Sequence, residues 1–434
     1  MKFKYIIQNL GANLLITLFG LIGSIILARW LGPSQRGIFA AIILIPTILQ
    51  YFVNFGLYST TIYFTAQPNS DKNTIWSNLI IIGSMQSILG ISVGYFVIND
   101  YLQKYGLKII HLGNIYLFTI PLGLFGMYAT YILQGSAHFK VINLLKCLIP
   151  VTYCIGIVWL RFQQILTIEN LVFVQLIIQS FYVIIAIILL YRIILIHFIF
   201  KIEYNSIHQM LRYSLKVWFG DIAQLANSRI DQFLIGGFLS SRDLGIYTVA
   251  ISVARFTNVF ADAITTIMIP SITGKEFLKE KIAEILKLFK KYWIFSVIFH
   301  LIFALSLPII IPFVFGEEYS ESIIICQILV MGSLFINAKT VLGGGVLGMG
   351  FPAIVSYVEF FGMIISLTMS ILLLKIYALI GVSVAITISY FSQFVLLIYL
   401  ANRKGIPYKN LLYISRNELY ENLKWLKNTS NYFK

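Results

Sequence analysis

Residues 170–191, NLVFVQLIIQSFYVIIAIILLY, form a long apolar run without a charged side chain. A helix needs roughly 20 such residues to cross the hydrocarbon core of a bilayer, which is about 30 Å thick. A run of this length and composition is typical of a transmembrane helix. The sequence therefore predicts a protein that resides in a membrane.

The rest of the chain repeats this pattern. Of its 434 residues 59% are hydrophobic and 11% are charged, and the mean hydropathy is +0.86. Soluble domains carry about 25% charged residues, so this composition excludes them. Similar apolar runs lie near residues 10–30, 38–66, 77–98, 112–134, 141–160, 170–191, 216–239, 244–271, 291–315, 322–348, 352–374 and 377–400. They predict an all-α integral membrane protein with about twelve transmembrane helices.

The distribution of lysine and arginine predicts the orientation, because loops rich in these residues stay in the cytoplasm. If the N-terminus lies inside, most basic residues fall on the inner side, including those of 275–291 and of the tail after Arg403. Arg29 and Arg36 then fall in an outer loop. Both termini are predicted to be cytoplasmic. The net charge of +15 reflects this topology, and we expect no nucleic-acid partner.

Motifs for catalysis or metal binding are absent from the sequence. The three cysteines and five histidines lack the spacing of metal ligands, and no glycine-rich phosphate loop follows a strand. We therefore expect neither a metal nor a cofactor. The apolar run after Lys2 and Lys4 lacks a convincing small-residue cleavage site, so it is predicted to be a retained first helix rather than a signal peptide.

An internal repeat predicts two lobes. Shifting the chain by 208 residues superposes residues 37–39 (Gly-Ile-Phe) on residues 245–247 (Gly-Ile-Tyr). The same shift superposes polar residues on polar residues, Thr47 on Arg255 and Asn54 on Asp262. Two parallel six-helix repeats, related by an axis along the membrane normal, would enclose a central cavity between them.

The repeat predicts the domain boundaries. We expect an N-terminal six-helix lobe over residues 1–200, a C-terminal six-helix lobe over 201–401 and a cytoplasmic tail over 402–434. The segment 204–218 is interpreted as a basic amphipathic helix lying on the membrane surface. A second interfacial helix is predicted in the tail, with Leu419, Leu423, Trp425 and Leu426 on one side.

Short motifs along the whole chain match one family in order and spacing. They are ARWLGP at 28–33, NFGL at 54–57, LRYSL at 211–215, NSRID at 227–231, LGIY at 244–247 and IGVSVAIT at 380–387. Together they resemble the bacterial polysaccharide flippases of the Wzx type, within the superfamily that includes the multidrug and toxin extrusion exporters. The resemblance implies a flippase of the bacterial inner membrane whose substrate is a polyprenyl-diphosphate-linked oligosaccharide. The chain departs from the family's pattern at Asn54, Lys216 and Glu359, so the resemblance leaves the coupling mechanism open.

Ionisable side chains inside the predicted spans are the candidate site. Each costs about 2.5–3.5 kcal/mol at a helix centre on insertion scales, so we expect them to face protein or water rather than lipid. Cationic groups would bind a diphosphate, and arginine can do so bidentately. The predicted substrate-binding residues are Arg255, Arg229, Lys146, Lys339 and Asn258, and the predicted coupling or polar network is Asp262, Asp231, Asp221 and Glu359.

Other interpretations of these residues stay open from the sequence. Asp231 and Arg229 could serve only in helix packing, and Lys146 and Lys339 could extend to the membrane surface.

Glycines near the end of the tenth span are the predicted moving part. Gly343, Gly344 and Gly345 are predicted to form a hinge that loosens this helix for alternating access. An ordinary tight turn is the alternative interpretation of this stretch, which also contains Gly348 and Gly350 and is followed by Pro352.

Acid placement bears on the function. Residues 1–200 contain only Asp71, Asp100 and Glu169 as acids, all in predicted loops, which disfavours a cation-coupled multidrug exporter that relies on a carboxylate in this lobe. An integral glycan-processing enzyme is disfavoured because its outer loops would need a catalytic cluster. We therefore predict a flippase in contact with membrane lipids, whose tail could also contact a polysaccharide polymerase or glycosyltransferases.

Overall fold

The computed structural model describes residues 3–68 and 70–412. Over this part of the chain every regular element is helical, which confirms the all-α prediction. The α-helices are α1 (Phe3–Val53), α2 (Leu57–Ala66), α3 (Lys72–Tyr101), α4 (Leu107–Tyr116), α5 (Thr119–Gly135), α6 (Phe139–Phe162), α7 (Ile168–Ile193), α8 (Tyr204–Phe238), α9 (Ser241–Phe256), α10 (Asn258–Thr273), α11 (Leu278–Phe315), α12 (Ser322–Gly348), α13 (Pro352–Asn402) and α14 (Tyr408–Leu412). The tail helix predicted around Trp425 lies outside the described residues.

The predicted number of membrane crossings agrees with the helices. Within the described residues, nine helical segments are long and apolar enough to span a bilayer. Two of them, α1 and α13, bend at a non-helical residue, Gly32 (φ 70°) and Ala378 (φ 46°), and each provides two crossings. Helix α8 is more polar than these nine segments, but its 35 residues are long enough to provide one further crossing. The described chain therefore contains twelve crossings.

Helix α8 corrects one expectation. The segment 204–218 is not a separate helix on the membrane surface, because α8 runs without a break from Tyr204 to Phe238. At 1.5 Å per residue its length is about 52 Å, well beyond the ~30 Å of hydrocarbon. The N-terminal turns, which carry Arg212 and Lys216, therefore belong to the same continuous helix as the apolar part of α8.

Helix α12 bears on the predicted hinge at Gly343, Gly344 and Gly345. The helix runs without a break from Ser322 to Gly348, so the described chain has neither a bend nor a turn at these glycines. All three are buried. Their lack of side chains serves close packing instead, since a β-carbon on Gly344 would lie 2.7 Å from Thr265 Cγ2 and one on Gly345 would lie 3.1 Å from Ile285 Cγ1. In this conformation α12 is therefore straight at Gly343, Gly344 and Gly345, whose role as a hinge stays a prediction, and the chain turns only after the helix ends, at Gly350 (φ 89°).

The second crossing of each half is interrupted within its length. Helices α1 and α2 are separated by residues 54–56, where Phe55 and Gly56 have left-handed φ values of 51° and 76°. In the second half Thr257 separates α9 from α10. Interrupted helices free backbone groups inside the membrane, which is tolerated only against protein or water.

The two halves meet where α1 crosses α9. The crossing is close because Gly37 faces Gly245, the two glycines that the 208-residue shift superposes. A β-carbon on Gly37 would lie 1.7 Å from the carbonyl oxygen of Ser241, and one on Gly245 would lie 1.9 Å from that of Pro33. Only glycine allows the two backbones to approach this far.

This crossing gives a first prediction. Gly37→Ala forces α1 and α9 apart, and we expect it to destabilise the protein by about 1–3 kcal/mol, the usual cost of overpacking. The measurement is the thermal unfolding midpoint of the purified protein in detergent.

The control for helix propensity is Gly11→Ala, because Gly11 has no neighbour within 4 Å in the described chain and lies in the same helix. Equal midpoints for the two variants would contradict the close crossing.

Candidate substrate cavity between the lobes

Contacts between the halves close one end of the molecule, here called the Arg29 end. The Arg29 guanidinium donates to the carbonyl oxygens of Phe313 and Val314, at 2.7 Å for Val314. The Lys104 ammonium donates to the carbonyl oxygen of Leu239 at 2.7 Å. Both cations thus bond carbonyl oxygens at the C-terminal ends of α11 and α8, where the helix dipole favours positive charge. The Gly37–Gly245 crossing lies beside them.

The opposite end is closed by aromatic side chains and is called the Trp218 end. The Trp218 ring lies 5.4 Å from that of Phe52 and 5.1 Å from that of Phe55, and its indole N–H donates to the Phe52 carbonyl oxygen at 3.0 Å. Further along, Tyr63 stacks on Tyr213 with ring centroids 4.6 Å apart. These contacts join α1 and α2 to α8.

Three neighbouring cavities lie between these two ends, and Arg255 lines all of them. Cavity A, of about 280 Å³, lies toward the Arg29 end and includes Arg36 and Arg229. Cavity B, of about 250 Å³, lies within the second half against Lys339 and Glu359. Cavity C, of about 480 Å³, lies toward the Trp218 end and is the largest of the three.

The cavities are electropositive. Arg36, Arg229 and Arg255 line cavity A, and no acid is among the described residues that line it. In cavity C the charged residues are Arg229, Arg255 and Asp221. The Arg229 guanidinium bonds Gln232 at 3.3 Å and that of Arg255 bonds the Ser228 carbonyl oxygen at 3.0 Å. Both arginines keep donors available for an anion, since a guanidinium has five N–H groups.

Polar residues between positions 221 and 232 of α8 line these cavities. Asp221 and Gln224 reach cavity C, Asn227 reaches cavity B, and Gln232 reaches cavity A. Asp231 is buried and accepts the Tyr247 hydroxyl at 2.7 Å, so it bonds inside the second half instead of opening into a cavity.

Cavity B contains an ion pair between Lys339 of α12 and Glu359 of α13, with side chains 6% and 15% exposed. The Asn227 amide donates to Glu359 Oε2 at 3.0 Å and to the Glu359 backbone oxygen at 2.9 Å. Asn258 lines the same cavity. The structure thus brings together Arg255, Asn258, Lys339 and Glu359 of the predicted site.

The wall of cavity C from the first half is neutral and aromatic. It presents Tyr51, Asn54, Tyr58 and Tyr131. Behind it the Tyr128 hydroxyl donates to Gln86 Oε1 at 2.5 Å and accepts from Asn54 at 3.1 Å. Because Asn54, Gln86 and Tyr128 satisfy one another's hydrogen-bonding groups, this network holds the interrupted segment 54–56 in place.

Other predicted residues lie apart from the three cavities. Lys146 is exposed on α6, and Asp262 lines a separate pocket of about 90 Å³ with Asn13 and Thr17. The glycines predicted as a hinge, Gly343, Gly344 and Gly345, are buried within the continuous helix α12 and line none of the three cavities. These residues therefore stand outside the candidate site.

Arg36 is the residue that sequence reasoning missed. We expected it in an outer loop, but it lies in α1, is 9% exposed, and donates to Ser24 Oγ at 3.0 Å. Arg29 is likewise in the helix. The preceding Gly32-Pro33 pair is typical of a loop, whereas here it only bends the helix. The sequence did contain one indication that Arg36 is near the lobe interface. It directly precedes Gly37, the first residue of the motif that the 208-residue shift superposes.

Solved structures with the same fold cover nearly the whole chain. The lipid II flippase MurJ in an inward closed conformation is 16% identical with a TM-score of 0.79, covering 96% of this chain and 92% of that one. An inward-facing multidrug resistance MATE family transporter of the MOP superfamily is 12% identical with a TM-score of 0.70, covering 92% and 96%. The chain therefore has the fold of these two-lobed multi-pass membrane proteins.

The family follows from the sequence comparisons. The model of the family described as "Polysaccharide biosynthesis protein" matches residues 26–324, so the chain belongs to this family. It is 26% identical over 211 residues to the capsular polysaccharide biosynthesis protein CapF of Staphylococcus aureus, covering 47% of this chain and 53% of that one. It is 28% identical over 200 residues to an uncharacterized membrane protein of Methanocaldococcus jannaschii, covering 43% and 44%. The matches span about half the length of these curated relatives.

The aromatic closure gives a second prediction. We expect Trp218→Ala to open the Trp218 end more often, because it removes the indole hydrogen bond and the contacts with Phe52 and Phe55. A cysteine at the half-buried residue Ser228 of cavity C, in a chain without its native cysteines, should then react roughly two- to tenfold faster with a membrane-impermeant maleimide. This range corresponds to one hydrogen bond of about 0.5–1.5 kcal/mol.

The matched control is Tyr357→Ala, which removes an exposed aromatic side chain from α13. The reagent is applied from the side predicted to be cytoplasmic. Unchanged labelling in the Trp218 variant would contradict the closure.

Proposed function

We propose that this protein is a flippase that moves a polyprenyl-diphosphate-linked oligosaccharide from the cytoplasmic to the outer leaflet for surface polysaccharide assembly. The observation that carries the proposal is the electropositive cavity between the lobes. Arg36, Arg229 and Arg255 place positive charge at membrane depth. A charged side chain is costly there and usually marks a functional site. The membership of a polysaccharide biosynthesis family and the MurJ-like fold support this substrate class.

The cavity fits the chemistry of such a head group. A diphosphate needs cationic donors, and the guanidinium groups of Arg229 and Arg255 face cavity C from the second lobe. Sugars need hydroxyl and amide partners and flat apolar faces, and the opposite wall offers Tyr51, Tyr131 and Asn54. The lipid tail would stay in the bilayer while the head group crosses between the lobes.

We further propose that the protein works by alternating access, and the contacts that close its two ends support this. In the orientation that the basic residues favour, both termini are cytoplasmic, the Trp218 end faces the cytoplasm, and the Arg29 end faces outward. We place the protein in the bacterial inner membrane, with lobes at 1–200 and 201–401. A polymerase or glycosyltransferases could bind the tail 402–434, most of which lies outside the described residues.

The third prediction tests the cationic cavity. In liposomes containing a fluorescent polyprenyl-diphosphate oligosaccharide, we expect Arg255→Ala to lower head-group translocation at least about tenfold, because a charge-assisted bond contributes about 1.5–3 kcal/mol. Arg255→Lys should keep part of the rate, since lysine retains the charge but loses bidentate geometry. The measurement is the fraction of labelled lipid that becomes accessible to an impermeant quencher, at equal protein levels.

The matched control is Arg161→Ala, which removes an exposed arginine at the end of α6. Full translocation by the Arg255→Ala variant would refute the diphosphate role. If wild-type protein moved no lipid-linked sugar but exported small cations along an ion gradient, a drug exporter of the multidrug and toxin extrusion type would replace the flippase.

A further inference from the structure

Asp221 of α8 is the single acid among the described residues that line cavity C. It is half-buried, and within the described part of the chain its carboxylate forms no hydrogen bond or ion pair with another residue. An acid at membrane depth is costly and usually marks a functional site. Because no protein group satisfies this carboxylate, it is available to a ligand.

The charges of cavity C are separated along α8. Asp221 follows Trp218 by three residues and therefore lies at the Trp218 end, whereas Arg229 lies two helical turns further along the same helix. At 1.5 Å per residue the two positions are about 12 Å apart along the axis. Arg255 belongs to the arginine end of the cavity, since it bonds the carbonyl oxygen of Ser228. Cavity C is thus cationic at its inner end and acidic at the Trp218 end.

An ordered group of tyrosines faces Asp221 from the first lobe. Tyr131 lies close enough to Asp221 for the two side chains to interact electrostatically. Its ring packs 5.2 Å from that of Tyr58, which packs 6.2 Å from that of Tyr51. The Gln50 amide donates to the Tyr58 hydroxyl at 2.9 Å and fixes the group. A ligand between the lobes therefore meets aromatic rings on one side and the Asp221 carboxylate on the other.

A carboxylate selects its ligands by charge. It only accepts hydrogen bonds, so it can bind the hydroxyl, amide or ammonium groups of a sugar. A sugar carboxylate at the same place would be a like charge in a confined site, which is strongly unfavourable. Arg229 is about 12 Å away along the helix and cannot compensate for this repulsion.

We propose that Asp221 determines which sugars may stand next to the diphosphate, accepting hydrogen bonds from a neutral or amino sugar and rejecting a uronic acid. The proposal rests on the proposed flippase function. With the diphosphate on Arg229 and Arg255, the sugars nearest to it lie along the stretch that leads to Asp221. The volume of cavity C, about 480 Å³, is that of a small-molecule site, so it holds only this proximal part of an oligosaccharide.

The first test measures binding and is independent of any transport activity. Three short-chain polyprenyl-diphosphate disaccharides are compared, one with two glucose units and two with glucuronic acid in place of the first or the second glucose. Affinities follow from the rise of the unfolding midpoint in detergent, because a ligand that binds the folded state alone stabilises it. Wild-type protein should bind at least one glucuronate lipid at least about tenfold more weakly than the neutral lipid, since facing like charges repel.

The variant for this test is Asp221→Asn, which keeps the size of the side chain and removes its charge. We expect it to bind the same glucuronate lipid within about threefold of the neutral lipid, because the repulsive element is gone. The ratio of the two affinities is the readout, so a general loss of affinity does not imitate the result. The matched control is Asp100→Asn, which removes an exposed acid at the end of α3, outside the three cavities, and should keep the wild-type ratio.

The second test measures transport with long-chain forms of the same three lipids in liposomes. The ratio of the neutral to the glucuronate translocation rate should be at least about tenfold for the wild-type protein and for Asp100→Asn. It should fall to within about threefold for Asp221→Asn.

Several outcomes overturn the proposal. Equal binding of all three lipids by the wild-type protein, with translocation intact, would refute the specificity role of Asp221 and leave the flippase standing. An Asp221→Asn variant that keeps the wild-type binding ratio but moves no lipid would mean that Asp221 acts in coupling or in the structure instead. Wild-type protein that neither binds nor moves any of the three lipids would refute the flippase, and the specificity role with it.

Discussion

The cost of placing charge in hydrocarbon governs the arrangement of the two lobes. Arginines that would each cost kilocalories against lipid are stable here because they face a cavity between the lobes or a backbone carbonyl. Arg255 illustrates both, since it bonds the Ser228 carbonyl and still lines three cavities. The lobes must therefore come together around these groups, and the cavities that remain between them are lined by cations.

The lobes solve the problem of polar groups in the membrane differently. The first uses neutral partners, with Asn54, Gln86 and Tyr128 satisfying one another around the interrupted helix. The second uses charge, with Lys339 and Glu359 as an internal pair. A neutral network holds its geometry whatever ion is present, whereas a buried ion pair stays stable only while both partners are charged and in contact. Apart from Arg36, the charged residues that line the three cavities thus belong to the second lobe.

Much of the fold could be predicted from the sequence, because run length and composition determine membrane crossings. The repeat even singled out Gly37 and Gly245, which meet at the lobe interface. The pairing of Lys339 with Glu359 could not be predicted, since it depends on how α12 and α13 are rotated against each other. The burial of Arg36 was missed because Gly32-Pro33 can end a helix or only bend it, and local sequence does not decide between the two.

The two closed ends differ in chemistry, and this difference sets how each can open. At the Arg29 end the backbones of α1 and α9 are in contact, so opening requires the helices to separate as bodies and two cations to leave helix carbonyls. At the Trp218 end aromatic side chains make many of the contacts, but the Trp218 indole also bonds the Phe52 carbonyl oxygen, and a β-carbon on Gly56 would lie 2.5 Å from the Ser214 carbonyl oxygen. The interrupted segment 54–56 also lies next to these aromatic contacts. Because of it, α2 is not a rigid continuation of α1. Separating the halves at the Trp218 end therefore breaks aromatic contacts and one close backbone approach, whereas separating them at the Arg29 end breaks a helix crossing that only glycines allow and two bonds between cations and helix carbonyls.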